Sequence, residues 1–205
     1  MCGIVGYVGE KNATPILVNA LKKLEYRGYD SAGIAVFDGQ DIVVRKVKGS
    51  LKVLEEHLAK ETVQGSLGIG HTRWATHGEP SDLNAHPHTN VSGTIAIVHN
   101  GIIENFAKLK SWLQNQGVVF KSQTDTEVVA HMINYFYEQT GEIFPAVLET
   151  LHRVEGSYAL GVLCTDYPDR IIAARKECPL IVGLGKGENF IASDVPAVLE
   201  HTRDV

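Results

Sequence analysis

The sequence predicts an α+β fold, and three observations carry that reading. Short apolar runs of strand length are interspersed with longer amphipathic stretches. The order is strand, helix, hairpin, then helices in the middle and a run of strands near the end. No regular strand–helix–strand repetition occurs, as a doubly wound parallel sheet would require. Residues 3–8 open the chain as a buried strand. Ile16, Leu17, Ala20, Leu21 and Leu24 fall on one helical face, and Thr14-Pro15 supplies a helix start. Segments 31–37 and 42–47 flank Asp38-Gly39, a hairpin signal. Ser50 suits the N-cap of a helix that carries Leu51, Leu54 and Leu58. Segments 68–72 and 94–99 read as strands. They enclose residues 73–92, a polar loop rich in Gly, Pro, His and Asn, and loops of that length in compact domains are usually functional or mobile.

Residues 103–116 form the next expected helix, with Phe106, Leu109 and Leu113 on one side. Thr124-Asp125-Thr126-Glu127 has the spacing of a capping box and opens a helix whose Val128, Val129, Met132, Ile133 and Phe136 face inward. A helix at 143–153 follows. Strands are expected near 157–164, 170–174, 180–184 and 189–192, and a last short helix near 195–201.

With 205 residues, 44% hydrophobic and 21% charged, the chain can bury the core of one domain. Its net charge of −5 and scattered Lys and Arg point away from nucleic acid. No apolar run approaches the ~18–20 residues of a membrane span. The N-terminus lacks the basic and apolar regions of a signal peptide. Cys2, Cys164 and Cys178 are too few and too spread for a disulfide framework, which fits a reducing cytoplasm. The chain stops soon after its last expected helix, so a fragment of a longer protein is expected.

The chemistry concentrates at a few places. Cys2 directly follows the initiator methionine. Removal of Met1 would put a thiol of pKa near ~8.5 and an α-amine of pKa near ~7.7–8.0 on one residue, a nucleophile beside its base. A small buried cysteine opening the first strand fits these residues equally well. In His71-Thr72-Arg73-Trp74-Ala75-Thr76-His77-Gly78, Arg73 offers a planar fork suited to a carboxylate, with Trp74 as an apolar plate beside it. The plainer reading, which these residues alone favour, pairs Arg73 with a surface acid and buries Trp74 in the core. The spacings of His71, His77, His86, His88 and His99 fit no helical metal motif, so loop histidines bonded to backbone are expected, and no metal. Asn100-Gly101 fits either a tight turn or an oxyanion hole made of an amide and a backbone N–H. Asp125 at a helix start is explained by the helix dipole alone, and could also hold an ammonium group. The run Gly183-Leu184-Gly185-Lys186-Gly187 is no phosphate loop, because Glu188 occupies the last glycine position.

Met1-Cys2-Gly3-Ile4-Val5-Gly6, the run from Leu24 to Gly33 (Leu-Glu-Tyr-Arg-Gly-Tyr-Asp-Ser-Ala-Gly), the block from His71 to Gly78, His99-Asn100-Gly101 and Thr124-Asp125-Thr126-Glu127 occur together and in this order. Together they resemble the class II glutamine amidotransferase domain over essentially the whole chain. The run after Leu24 and the form Thr72-Arg73-Trp74-Ala75-Thr76-His77-Gly78 favour the glucosamine-6-phosphate synthase branch over the amidophosphoribosyltransferase branch. The resemblance implies a four-layer αββα N-terminal-nucleophile hydrolase sandwich of two antiparallel sheets between helical layers. It implies glutaminase activity with no cofactor. Cys2 is then the nucleophile and its amine the base, Asn100 and Gly101 the oxyanion hole, Arg73 the receptor of the glutamine α-carboxylate and Asp125 of its α-ammonium. Trp74 to Gly78 belong to a closing loop, Thr76, His77 and His86 line the pocket, Trp74 helps gate ammonia, and Arg27 supports the closed site. The implied partners are L-glutamine and the C-terminal sugar isomerase domains with their fructose 6-phosphate site, in a homo-oligomeric full enzyme. Residues 1–205 are then the glutaminase domain, cut short at its C-terminus, with the isomerase domains absent.

Overall fold

The computed structural model describes residues 2–205, so the removal of Met1 lies outside the described residues. Its elements run β1 (Gly3–Val8), α1 (Ala13–Lys22), a 3-10 turn (Glu25–Arg27), β2 (Ser31–Phe37), β3 (Ile42–Lys48), α2 (Leu51–Lys60), β4 (Leu67–Arg73), β5 (His88–Thr89), β6 (Ile95–Ile103), α3 (Phe106–Asn115), α4 (Thr126–Thr140), α5 (Ile143–Arg153), β7 (Gly156–Cys164), β8 (Ile172–Lys176), β9 (Ile181–Leu184), β10 (Asn189–Ala192) and a second 3-10 turn (Val195–Ala197). One sheet has the order β3-β2-β4-β1-β10-β9 and the other β5-β6-β7-β8. Neighbouring strands in both sheets pair antiparallel.

Side-chain alternation along the strands builds the layers. Val5 and Tyr7 of β1 pack with Leu17 and Leu21 of α1 and Leu51 and Leu54 of α2. Their neighbour Ile4 faces the other way, against Ala96 and Val98 of β6 and Ala159 of β7. Ile95 and Ile97 then face α3, α4 and α5 through Leu113, Val129, Met132 and Val147. The period of two thus sends successive residues into different cores, giving the four layers α, β, β, α. Small residues let the sheets close on each other: a Cβ on Gly161 of β7 would lie 2.9 Å from Cδ1 of Ile191, on β10 of the facing sheet.

Several boundaries differ from the sequence expectation for identifiable reasons. Helix α1 begins at Ala13, because Asn12 caps it by accepting from the Thr14 N–H at 3.4 Å. Ser50 occupies the N-cap position of α2 without a side-chain capping bond. Strand β6 runs four residues past His99 by pairing with β7 as far as Ile103, so Asn100-Gly101 is not a hairpin turn and α3 starts later than expected. The expected last helix is only the 3-10 turn at Val195–Ala197, capped by Asp194.

The capping box is also replaced. The Glu127 carboxylate does not reach back to Thr124. It accepts from the N–H groups of Lys121 at 2.8 Å and Ser122 at 2.6 Å, from the Ser122 hydroxyl and from Nε2 of His131 at 3.0 Å. Burial alone would raise its pKa, but the His131 and Ser122 side chains and the two backbone donors outweigh it and hold the carboxyl well below the ordinary range. A lowered folded-state pKa contributes stability above the unfolded value, and this is lost as pH falls through the folded one. We expect Glu127→Gln to cost about 1–3 kcal/mol at neutral pH. Chemical denaturation as a function of pH should show the gap closing below the ordinary glutamate pKa of 4.5. A gap that stays constant down to acid unfolding would refute this assignment.

Candidate active site

The antiparallel register brings the start of β1 beside the end of β4, since Gly3 pairs with Thr72. The far half of β6 from the second sheet meets them there. At this junction a cavity of about 290 Å³ opens. Cys2, Arg27, Arg73, Trp74, Thr76, His77, His86, Asn100, Gly101 and Asp125 all line it, so every site residue singled out from the sequence reaches one place. His99, Ile102, Thr124, Thr126, Ser157, Cys178 and Pro179 complete the wall.

Cys2 is half-buried with a free thiol. Its Sγ accepts the Trp74 backbone N–H at 3.1 Å. Burial pushes the thiol above its ordinary pKa, and the Trp74 N–H opposes this. The Cys2 carbonyl is gripped twice, by Nε of Arg27 at 3.2 Å and by Nδ2 of Asn100 at 2.9 Å. Arg27 is itself tied to Asp194 at 3.0 Å, and the Tyr26 hydroxyl donates to the same carboxylate oxygen at 2.6 Å. The nucleophile candidate therefore sits on a backbone fixed from two sides.

Arg73 is buried, and among the described residues no surface acid pairs with it. Its guanidinium donates to the carbonyls of His77, Gly78 (3.1 Å) and Glu79 (3.5 Å), folding the segment after β4 around itself. Trp74 is 51% exposed and meets Tyr29 edge-on at 5.6 Å, so it is a rim residue and not core. Asp30 accepts the Ala75 N–H and fixes the start of this segment. The His77 ring packs edge-on against Phe106 at 5.5 Å.

Asn100 and Gly101 lie within β6 and not in a turn. Gly101 has φ of +114°, and a Cβ there would fall 2.2 Å from the Ser157 carbonyl oxygen. Close strand pairing at a left-handed φ makes glycine the fitting residue. Asp125 immediately precedes α4 without capping it; its Oδ2 accepts the Ile103 N–H at 2.7 Å. The cavity thus presents two buried cations, Arg27, which Asp194 already neutralises, and Arg73, together with one buried carboxylate, Asp125; Arg73 and Asp125 are the opposite charges that recognition of a zwitterion requires.

Among the described residues, no group of three His, Cys, Asp or Glu side chains is arranged to hold a metal ion. His86 stacks on His71 with centroids 4.1 Å apart and 13° between planes, and His88 bonds Thr124 at 3.0 Å. Sequence reasoning assigned no part to Asp194, Cys178 or His71. The first two arrive from the far end of the chain with no local motif. His71 stood beside Arg73 in the motif but gave no sign of which group it would face.

The sequence profile of the glutamine amidotransferase domain matches residues 55–205, a span that contains Arg73, Asn100, Gly101 and Asp125 and leaves out Cys2. The chain is 62% identical over 205 residues to the glutamine–fructose-6-phosphate aminotransferase [isomerizing] of Caldanaerobacter subterraneus subsp. tengcongensis and 60% identical to that of Clostridium tetani. Both alignments cover all of this chain and 33% of the relative, so the chain spans about a third of the length of the curated relatives it matches. The solved glutamine phosphoribosylpyrophosphate amidotransferase from B. subtilis, complexed with ADP and GMP, superposes with a TM-score of 0.83 at 29% identity, over 98% of this chain and 44% of that one. A glutamine aminotransferase class-II domain protein from Silicibacter pomeroyi, at 15% identity and a TM-score of 0.58 over 93% of this chain and 88% of that one, shares the fold. The layered sandwich is therefore the N-terminal-nucleophile hydrolase arrangement that the resemblance implied. A profile match over most of the chain, together with relatives that align along all of it, shows that this chain belongs to the glutamine amidotransferase domain family.

Proposed function

We propose that this chain hydrolyses L-glutamine to L-glutamate and ammonia through a thioester on Cys2. In the whole protein, that ammonia converts fructose 6-phosphate to glucosamine 6-phosphate. One observation carries the reading: a free thiol, a buried cation, a buried carboxylate and the Asn100-Gly101 pair line a single cavity. Arg73 takes the α-carboxylate of glutamine and Asp125 its α-ammonium, which leaves the side-chain amide to reach Cys2. Thr76, His77 and His86 line the pocket. Trp74 sits at the rim and meets the ammonia path of the whole enzyme.

The Cys2 thiol, kept protonated by burial, gives its proton to the freed α-amine as sulfur attacks the amide carbon. The carbonyl π bond opens, and the oxygen's negative charge falls to the Asn100 amide and the Gly101 N–H. The proton passes from the amine to the leaving nitrogen, the C–N bond breaks and ammonia departs. Water then attacks the thioester, releasing glutamate and restoring the thiol. Arg27, through the Cys2 carbonyl, supports the residue that carries both nucleophile and base.

The acceptor assignment rests on the 60–62% identity to the aminotransferases, against 29% to the phosphoribosylpyrophosphate enzyme. On this reading residues 1–205 are the glutaminase domain, its last part lies beyond Val205, and sugar isomerase domains follow in a homo-oligomeric cytoplasmic enzyme. Among the described residues no helix is long and apolar enough to cross a membrane.

The test is intact mass combined with glutamate release on one sample. Protein whose N-terminus is Cys2 should turn over glutamine, and protein made with Met1 retained should lose at least about 10²-fold, the usual worth of a positioned general base. Equal activity of the two forms would overturn the amine's assignment.

A further inference from the structure

We propose that His71 is a positioning residue that sets which end of the Asn100 amide faces the reacting carbonyl; this rests on the glutaminase reading above. His71 lies on β4, fully buried, and reaches across to β6 from the other sheet. Its Nε2 lies 3.0 Å from the His99 carbonyl oxygen and 3.0 Å from Oδ1 of Asn100. A carbonyl can only accept, so the Nε2 proton is fixed by the His99 carbonyl, and Asn100 Oδ1 shares that donor. The amide is thereby oriented with its NH2 on the opposite side, where Nδ2 now donates to the Cys2 carbonyl at 2.9 Å. Reversing the amide would set its NH2 against the Nε2–H, a donor facing a donor.

The surroundings hold this tautomer. Nδ1 of His71 is buried and meets no hydrogen-bond partner among the described residues, which suits an unprotonated nitrogen. Burial drives the ring's pKa down to about 3, so it stays neutral across the working range. The stacked His86 ring limits its tilt. His71 does not line the cavity. It acts through Asn100, and any effect should appear where the oxyanion forms and not where glutamine is held.

His71→Phe keeps a flat ring for the His86 stack and removes the donor. In the full-length protein we expect kcat for glutamate release to fall about 10–100-fold with KM within twofold, less than the roughly 10²–10³-fold that follows removal of an oxyanion donor outright. H71Q places an amide nitrogen near the position of Nε2 and should recover most of this loss. H71N places it nearer Nδ1 and should not, and this pair decides the matter if H71F fails to fold. L-Glutamate γ-semialdehyde gives a second readout. Addition of the Cys2 S–H across its carbonyl forms a C–S bond and a hydroxyl, a tetrahedral adduct that uses the same oxyanion donors. Its affinity should fall in parallel with kcat in H71F, while the affinity for the product glutamate stays unchanged. Unchanged kcat in H71F, or a loss confined to KM, overturns the inference. Asn100→Ala separates the two levels. If N100A lowers kcat and H71F does not, only His71 is misassigned; if N100A is also without effect, the oxyanion reading itself fails. The H71F/N100A double variant should be no slower than N100A alone, since the two act as one unit.

Discussion

Substituting Cys2 with alanine should abolish glutamate release while leaving the fold and glutamine binding in place. The contacts that hold this residue belong to its backbone: Arg27 and Asn100 both grip the Cys2 carbonyl, and alanine keeps that carbonyl. The side chain is small and contributes two hydrogen bonds to the Trp74 backbone, accepted from its N–H at 3.1 Å and donated to its carbonyl at 3.5 Å, so stability should change by no more than about 1–2 kcal/mol. The chemistry has no substitute nucleophile in the right place. Cys178 lines the same cavity, but against Gly101 on the strand that carries the proposed oxyanion donors, so it is not set to attack an amide held by them. Loss of a covalent nucleophile removes the two-step path altogether, and a drop on the order of 10⁴-fold or more in kcat is expected. Glutamine should still protect the variant against thermal unfolding, because Arg73 and Asp125 are untouched. Turnover within tenfold of the parent would sink the thioester mechanism. A variant that melts much earlier would show that the Cys2 side chain is structural.

The strands and helices that obey a local period were legible in the sequence. Asp38-Gly39 announced its hairpin, and the Asp38 carboxylate duly accepts the N–H groups of Gln40 and Asp41 at 2.9 and 2.8 Å. What depends on distant pairing was not legible. Asn100-Gly101 carries a turn signature, yet the dipeptide continues a strand, because β7 supplies the pairing from more than fifty residues away. Glu127 has the spacing of a capping residue, yet the preceding loop offers it better donors. The site residues were legible as types in a characteristic order, which is why all of them appear in one cavity wall. Their supports were not: Asp194 meets Arg27 across 167 residues, and His71 meets Asn100 across two sheets. A motif records which chemistry is present, whereas the fold decides which neighbour fixes its geometry.

Arg73→Ala should raise the KM for glutamine by about 30-fold or more, with a smaller effect on kcat. The guanidinium is 3% exposed, and among the described residues no carboxylate lies within ion-pair distance of it. Its partners are three loop carbonyls, which carry only partial charge. A buried cation without a counter-ion is costly, and an incoming carboxylate relieves part of that cost. Truncating one partner of a buried hydrogen-bonded charge pair typically costs 2–5 kcal/mol, and about 1.4 kcal/mol is a factor of ten. The effect should fall mainly on binding, because the α-carboxylate is held alike in ground and transition states, and uniform binding appears in KM. Some loss of kcat follows from the second task of the same side chain: without it the loop from Trp74 to Glu79 loses the donor its last three residues fold around, and Trp74, whose N–H meets Cys2 Sγ, begins that loop. Arg73→Lys should not restore binding. A single ammonium cannot serve three carbonyls and present two parallel N–H groups to a carboxylate. Saturation kinetics on the two variants test this directly, with a simple amide lacking the α-carboxylate as the control. That amide should be hydrolysed as poorly by the parent as by R73A, and an unchanged KM for glutamine in R73A would remove Arg73 from substrate recognition.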